Sequence, residues 1–159
     1  MIFVTLGSQK FQFNRLLKEI DSLIENNEIT EEVFAQIGYS DYIPKNYNYK
    51  KFLDRDEFNE LMNQCDKVIT HGGTGAIIGA LKKEKKVIAI PRLAKFKEHV
   101  DDHQLQIVDQ FSEMQFIQSI HEIDNLKKAL LNIDNKKFKN YISNTEKIIE
   151  NIESFISLI

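Results

Sequence analysis

The chain has 159 residues, 42% of them hydrophobic and 28% charged, with a formal net charge of -3. This is the composition of one globular domain able to bury a real core, and the acidic balance excludes general nucleic-acid binding. A single cysteine, Cys65, excludes an intrachain disulfide and fits a reducing compartment, and no apolar run approaches the ~18 residues that a membrane span needs.

The chain starts with an apolar strand, Ile2 to Leu6, which reads as central in a sheet; no basic segment of a signal peptide precedes it. A polar turn, Gly7-Ser8-Gln9, follows. Phe13, Leu16, Leu17, Ile20, Leu23 and Ile24 then recur at helical spacing, so residues 13–26 are expected to form an amphipathic helix capped by Asn14. Residues 32–37 read as a second strand, with Gln36 and Gly38 placed to face a cleft. Tyr42, Tyr47, Tyr49 and Phe52 alternate loosely; strand and core positions account for most such aromatics, and stacking on a base or sugar is the sharper reading. Residues 56–65 read as a short helix that carries Cys65 as a core residue rather than a nucleophile.

The organising stretch is residues 66–104. Lys67-Val68-Ile69-Thr70 is a strand, His71-Gly72-Gly73-Thr74-Gly75 a turn, and Ala76, Ile77, Ile78, Ala80 and Leu81 mark an apolar helix. Val87-Ile88-Ala89-Ile90 is a second apolar strand, stopped by Pro91. Strand, helix and strand in so short a span is a right-handed βαβ unit, hence a parallel sheet. Glycines at such a turn admit close backbone approach, and the N–H groups of the following helix favour an anion, with Thr74 expected as cap and phosphate ligand. Lys82, Lys83, Lys85 and Lys86 suit a solvated helix end, whereas Arg92 is open to phosphate. Glu98 to Gln104 is expected to open a helix running to Phe111, which sets an array of hydrogen-bonding side chains beside the same sheet edge. A last strand at residues 116–120 follows, then helices from Leu126. Residues 136–159 read as one long amphipathic helix, its apolar stripe continuing to Ile159, which suits docking on a partner.

Rival chemistries lack parts. His99 and His103 stand at helical i and i+4 spacing, but no third ligand is evident, so no metal site is expected. There is no Gly-x-Ser-x-Gly elbow, and Gly7-Ser8-Gln9-Lys10 does not match a dinucleotide fingerprint.

The order His71-Gly72-Gly73-Thr74-Gly75, apolar helix, Pro91-Arg92, then Glu98-His99-Val100-Asp101-Asp102-His103-Gln104 resembles the C-terminal, donor-binding half of GT-B glycosyltransferases of family 28. Within that family it is most similar to small subunits of split enzymes. These are the PssE-type subunits of bacterial polysaccharide synthesis and the catalytic subunit of the dolichol-pathway N-acetylglucosaminyltransferase. The opening Met1 to Ser8 matches the way such subunits begin. The resemblance implies an α/β fold, a single Rossmann-like domain with a parallel sheet and helices on both faces. Residues 1–135 would be the donor-binding part and residues 136–159 a docking helix of the same domain.

It further implies a UDP-sugar donor, with no metal and no other cofactor. A membrane-anchored, acceptor-binding partner subunit, or else a second copy of the chain, would meet the C-terminal helix, with the subunit cytoplasmic and recruited to the membrane's inner face. Capsule or exopolysaccharide synthesis is the implied setting. The alternative is a non-catalytic partner that enhances a complete transferase. Donor contacts carried over are Gly7, Ser8, His71, Gly72, Gly73, Thr74, Gly75, Arg92, Glu98, His99, Asp101, Asp102 and Gln104, with His71 and His99 as catalytic candidates. One departure stands out: relatives carry a ribose-binding carboxylate eight positions after the first motif residue, and here that position is Gly79.

Overall fold

The computed structural model describes residues 1–157. Six parallel strands form one sheet in the order β3-β2-β1-β4-β5-β6. They are β1 (Ile2–Thr5), β2 (Val33–Gln36), β3 (Asn48–Lys50), β4 (Lys67–His71), β5 (Lys86–Ile90) and β6 (Gln118–Ser119). The helices are α1 (Asn14–Glu25), α2 (Arg55–Gln64), α3 (Thr74–Leu81), α4 (His103–Glu113), α5 (Leu126–Ile133) and α6 (Thr145–Ile156), with 3-10 turns at Ala94–Phe96 and Ile123–Asn125.

The apolar runs sit where covered faces demand them. Every residue of β1 and β4 is buried, as expected for parallel strands covered on both sides. Leu16, Leu17 and Ile20 of α1 join Ala129 and Ile133 of α5 and alternate strand residues such as Val4 and Ile69 in one core. Met62 of α2, Ile77 and Ala80 of α3 and Val108 of α4 join Phe3, Val68 and Ala89 in the core on the other face. Cys65 belongs to this second core; burial pushes its thiol up and away from nucleophilic chemistry.

Several local expectations change. Phe13, not Asn14, is the N-cap of α1, because the Asn14 side chain accepts hydrogen bonds from the N–H groups of Asp41 and Tyr42 instead. α2 is closed by a capping box between Asp54 and Glu57, one residue ahead of the expected start. The aromatic stretch around Tyr49 contributes a real edge strand, β3, too short for periodicity to reveal.

The helix expected over residues 136–159 starts only at Thr145. Before it, the chain runs without regular structure, and Phe138 packs on the first core while Tyr141 packs on the second, edge to face with Phe116 at 5.6 Å. A helix would put these side chains, three positions apart, on one side, so reaching both sheet faces requires an extended chain. The Lys139 N–H bonds the Gln115 carbonyl at 2.9 Å and pins this strap. α6 buries none of its residues, and Ile148, Ile149, Ile152, Phe155 and Ile156 are exposed. Ile159, the end of the expected stripe, lies outside the described residues. Among the described residues no helix is long and apolar enough to cross a membrane.

Candidate functional site

The strand order reverses direction between β1 and β4. α1, which follows β1, packs in the first core, and α3, which follows β4, packs in the second. Adjacent strands whose helices leave to opposite faces open a crevice at their carboxyl ends, where parallel sheets bind ligands. Gly7 and the turn from His71 to Gly75 line that crevice. A concavity of about 770 Å³ lies at the β6 edge, lined among others by Asp109, Ser119, His121 and Asn132. It is remote from the strand-order reversal, so topology places the site instead.

His71 is the keystone of the crevice floor. Its imidazole is buried between Gly7 and Gly73: a Cβ on Gly7 would lie 2.8 Å from its Cε1, and one on Gly73 only 2.3 Å from its Nε2. Gly7 also holds φ +71°, a conformation that strains any side chain. The Thr70 hydroxyl donates to the Thr5 carbonyl at 2.8 Å, so its oxygen receives the Nδ1 proton of His71 at 3.3 Å and Nε2 keeps its lone pair.

Burial, reinforced by the nearby Arg92 cation, lowers the His71 pKa to about 4, so the ring is neutral at pH 7. A base whose folded value falls below its unfolded value gives stability that is complete above about pH 6.5 and lost as the pH drops toward 4. The loss is expected to reach about 3 kcal/mol. Urea unfolding at stepped pH checks this, and a His71→Gln variant should flatten that limb.

Gln104 is buried, and its Oε1 accepts from the N–H groups of Gly72 and Arg92, both at 3.0 Å. It therefore ties the carboxyl ends of β4 and β5 together, and its oxygen is not available to a sugar hydroxyl. Arg92 is only 1% exposed; its Nη2 donates to the Leu6 carbonyl at 2.7 Å, beneath the Gly7 turn. Burial lowers its pKa to about 10, against the raising effect of Glu98, and it stays charged. Arg92 thus braces the turn from inside and presents no surface to a phosphate, contrary to the expectation from sequence. Glu98 is equally buried: Oε1 accepts from Arg15 Nε at 2.7 Å and Oε2 from the Leu93 N–H at 3.1 Å. It too is internal, not a sugar ligand. Asp102 spends one oxygen on the Ala94 N–H at 2.7 Å.

The groups that do face outward form a shelf. Thr74 and Gly75 are exposed, and Ser8 stands exposed across the crevice. Gly73 is the N-cap of α3 and Thr74 its first residue, so Thr74 does not cap and its hydroxyl is left to the solvent side. Helix geometry leaves the N–H groups of Thr74, Gly75 and Ala76 without intrahelical acceptors. A Cβ on Gly75 would meet nothing within 4 Å, so open space lies in front of them.

Two further features lie beyond the carboxyl ends of strands in the same sheet. Tyr39 and Phe52, both exposed, stack edge to face at 5.1 Å after β2 and β3. The loop of residues 97–102 presents His99 and Asp101 beside His103. That loop was expected to be helical, but Lys97 at φ +58° breaks the chain direction, and Glu98 and Asp102 bond backwards to Leu93 and Ala94. α4 therefore begins only at His103. Gly79 on α3 also faces open space. Gly79→Ala should raise stability by about 1 kcal/mol, a Tm gain of about 3 °C by thermal unfolding, since a helical glycine costs that much against alanine.

The profile of the glycosyltransferase family 28 C-terminal domain matches residues 1–159. The UDP-N-acetylglucosamine transferase subunit ALG13 of Kluyveromyces lactis is 30% identical over 97 residues, which cover 58% of this chain and 47% of that protein. Its counterpart in Candida albicans is 30% identical over 98 residues, covering 62% and 32%. The chain thus spans less than half the length of these curated relatives. Among solved structures, the solution structure of ALG13 superposes with a TM-score of 0.60 at 19% identity over 95% of this chain and 93% of that one. MurG of Acinetobacter baumannii does so with 0.58 at 15% identity, over 84% of this chain and 42% of its own. At such identities these structures speak for the fold alone.

Proposed function

The chain belongs to the glycosyltransferase family 28 C-terminal domains, and from that premise we propose that it is the donor-binding, catalytic subunit of a two-component inverting glycosyltransferase that uses a UDP-sugar. The observation that supports this best is the shelf at the β1–β4 crevice, where the α3 N-terminus meets the exposed Thr74 hydroxyl and the open space at Gly75. A diphosphate seated there meets N–H donors and the positive end of the helix dipole. As the glycosidic bond breaks, the nucleoside diphosphate gains negative charge, and these fixed donors stabilise it without reorganising. The aromatic pair Tyr39 and Phe52 offers a face to the uracil, and the loop carrying His99 and Asp101 borders the hexose.

The two fungal relatives are subunits of a transferase by name, which fits a partner polypeptide that holds the acceptor and supplies the base. The exposed apolar face of α6 is the surface such a partner would cover, and a membrane-anchored partner would bring the subunit to the cytoplasmic face of the membrane. A lipid-linked acceptor in capsule or exopolysaccharide synthesis completes the proposal. A non-catalytic companion of a complete transferase would use the same helix but would need no donor shelf.

Calorimetric titration of the chain with UDP, and with ADP as control, tests the reading. UDP should bind in preference to ADP. Gly75→Ala should weaken UDP roughly tenfold by filling the open space, while leaving stability equal or up to ~1 kcal/mol higher. UDP affinity that ignores Gly75→Ala would sink the assignment. Gly79→Glu restores the missing carboxylate and should strengthen UDP binding about tenfold, the order of one charged hydrogen bond.

A further inference from the structure

Three side chains on and beside the loop of residues 97–102 form a cluster of their own. Nδ1 of His99 lies 3.3 Å from Asp101 Oδ1, and Nδ1 of His103 contacts the same oxygen. The ligand atoms of all three residues lie within 4.8 Å of one another. Their loop neighbours are committed elsewhere, Glu98 to Arg15 and Leu93 and Asp102 to Ala94. The His99 ring is held in place, its side chain 8% exposed and its centroid 4.7 Å from both Phe11 and His103. Asp101 and His103 are exposed, so the cluster opens outward.

We propose that His99, Asp101 and His103 bind one divalent transition-metal ion, with zinc the best fit. Two imidazoles and a carboxylate select zinc and its neighbours over magnesium or calcium, which favour all-oxygen sets. A tetrahedral zinc ion with ligands at about 2.0 Å needs ligand atoms roughly 3.3 Å apart. The His99–Asp101 separation already has that value. The wider His–His separation closes by turning the exposed His103 ring. Three protein ligands leave the fourth position open on the solvent side, the arrangement of a zinc ion that can take a further ligand.

The sequence hid the third ligand for a physical reason. On a helix running from His99, Asp101 at i+2 would point away from the face shared by His99 and His103. Because α4 starts at His103, residues 99–102 are loop, and Asp101 turns back between the two rings.

The proposal does not rest on the donor reading, and its test uses the metal alone. Zinc is titrated calorimetrically into the untagged 159-residue chain without nucleotide. One saturable site per chain is expected, with affinity reduced at least about 100-fold in Asp101→Asn and in His103→Ala. His121→Ala removes a separate His–Asp contact, to Asp109 at 2.6 Å, and should leave zinc binding unchanged. Both cluster substitutions are at exposed positions, and circular dichroism checks that the fold is intact. Absence of saturable binding to the parent chain, or binding that survives either cluster substitution, overturns the proposal.

Discussion

Glu98→Ala is expected to cost about 4 kcal/mol of folding stability, the order found when one partner of a buried ion pair is removed. The magnitude follows from what surrounds the carboxylate. Glu98 is 1% exposed and is the counter-charge for two guanidinium groups. Arg15 donates to it directly at 2.7 Å and to the Pro91 carbonyl at 2.7 Å. Arg92 is buried beside it, and among the described residues its Nε and Nη1 have no acceptor. Both guanidinium groups lie over the Phe13 ring, at 5.1 and 5.5 Å. Without Glu98, two cations share one aromatic ring in the interior, and the Leu93 N–H loses its acceptor. Arg15→Ala should cost less, since it leaves Glu98 still bonded to Leu93 and close to Arg92. Urea unfolding of the two variants decides: equal losses would mean that Arg15, rather than the buried Arg92, is what Glu98 serves.

This internal network shows where sequence reading succeeds and where it stops. The βαβ unit was legible because Lys67 to Ile90 combines two apolar runs of strand length with a glycine turn and a helical run between them. Those are local patterns, and burial on both faces of a parallel sheet leaves strands little choice of composition. The site was legible at its glycines for the same reason: Gly7 and Gly73 are small because His71 occupies the space between them. Residue types alone could not say which polar side chains face the ligand. Arg92, Glu98 and Gln104 have the chemistry of phosphate and sugar ligands, yet Arg92, Glu98 and the Gln104 oxygen are spent holding β1, β4, β5 and α1 together. That outcome depends on contacts between residues as distant in sequence as Leu6 and Arg92. Thr74, Gly75 and Ser8 remain on the surface, where a ligand can reach them. The C-terminal helix illustrates a different limit. Its periodicity was real, but Phe138 and Tyr141 fitted the stripe while belonging to opposite faces of the sheet.

Gln104→Ala should also be severe, at about 4 kcal/mol, because it strands two buried N–H groups at roughly 2 kcal/mol each. The consequence is local as well as global. The Gly72 N–H sits at the start of the glycine turn and the Arg92 N–H at the end of β5, so losing the bridge loosens the wall of the crevice. UDP affinity should fall with stability, and such a variant by itself would not reveal a sugar contact. Gln104→Glu separates the two roles. A carboxylate keeps an oxygen for both N–H groups and lies near the buried Arg92 cation, so stability should return to within about 1 kcal/mol of the parent chain. Among the described residues the Gln104 amide nitrogen donates to no protein acceptor, and the glutamate variant removes only that donor. UDP affinity is therefore expected to recover in Gln104→Glu, while the KM for the intact UDP-sugar rises because a hydroxyl of the hexose loses its partner. If the KM recovers together with stability, Gln104 is a brace and nothing more, and the hexose must be held by the loop that carries His99 and Asp101.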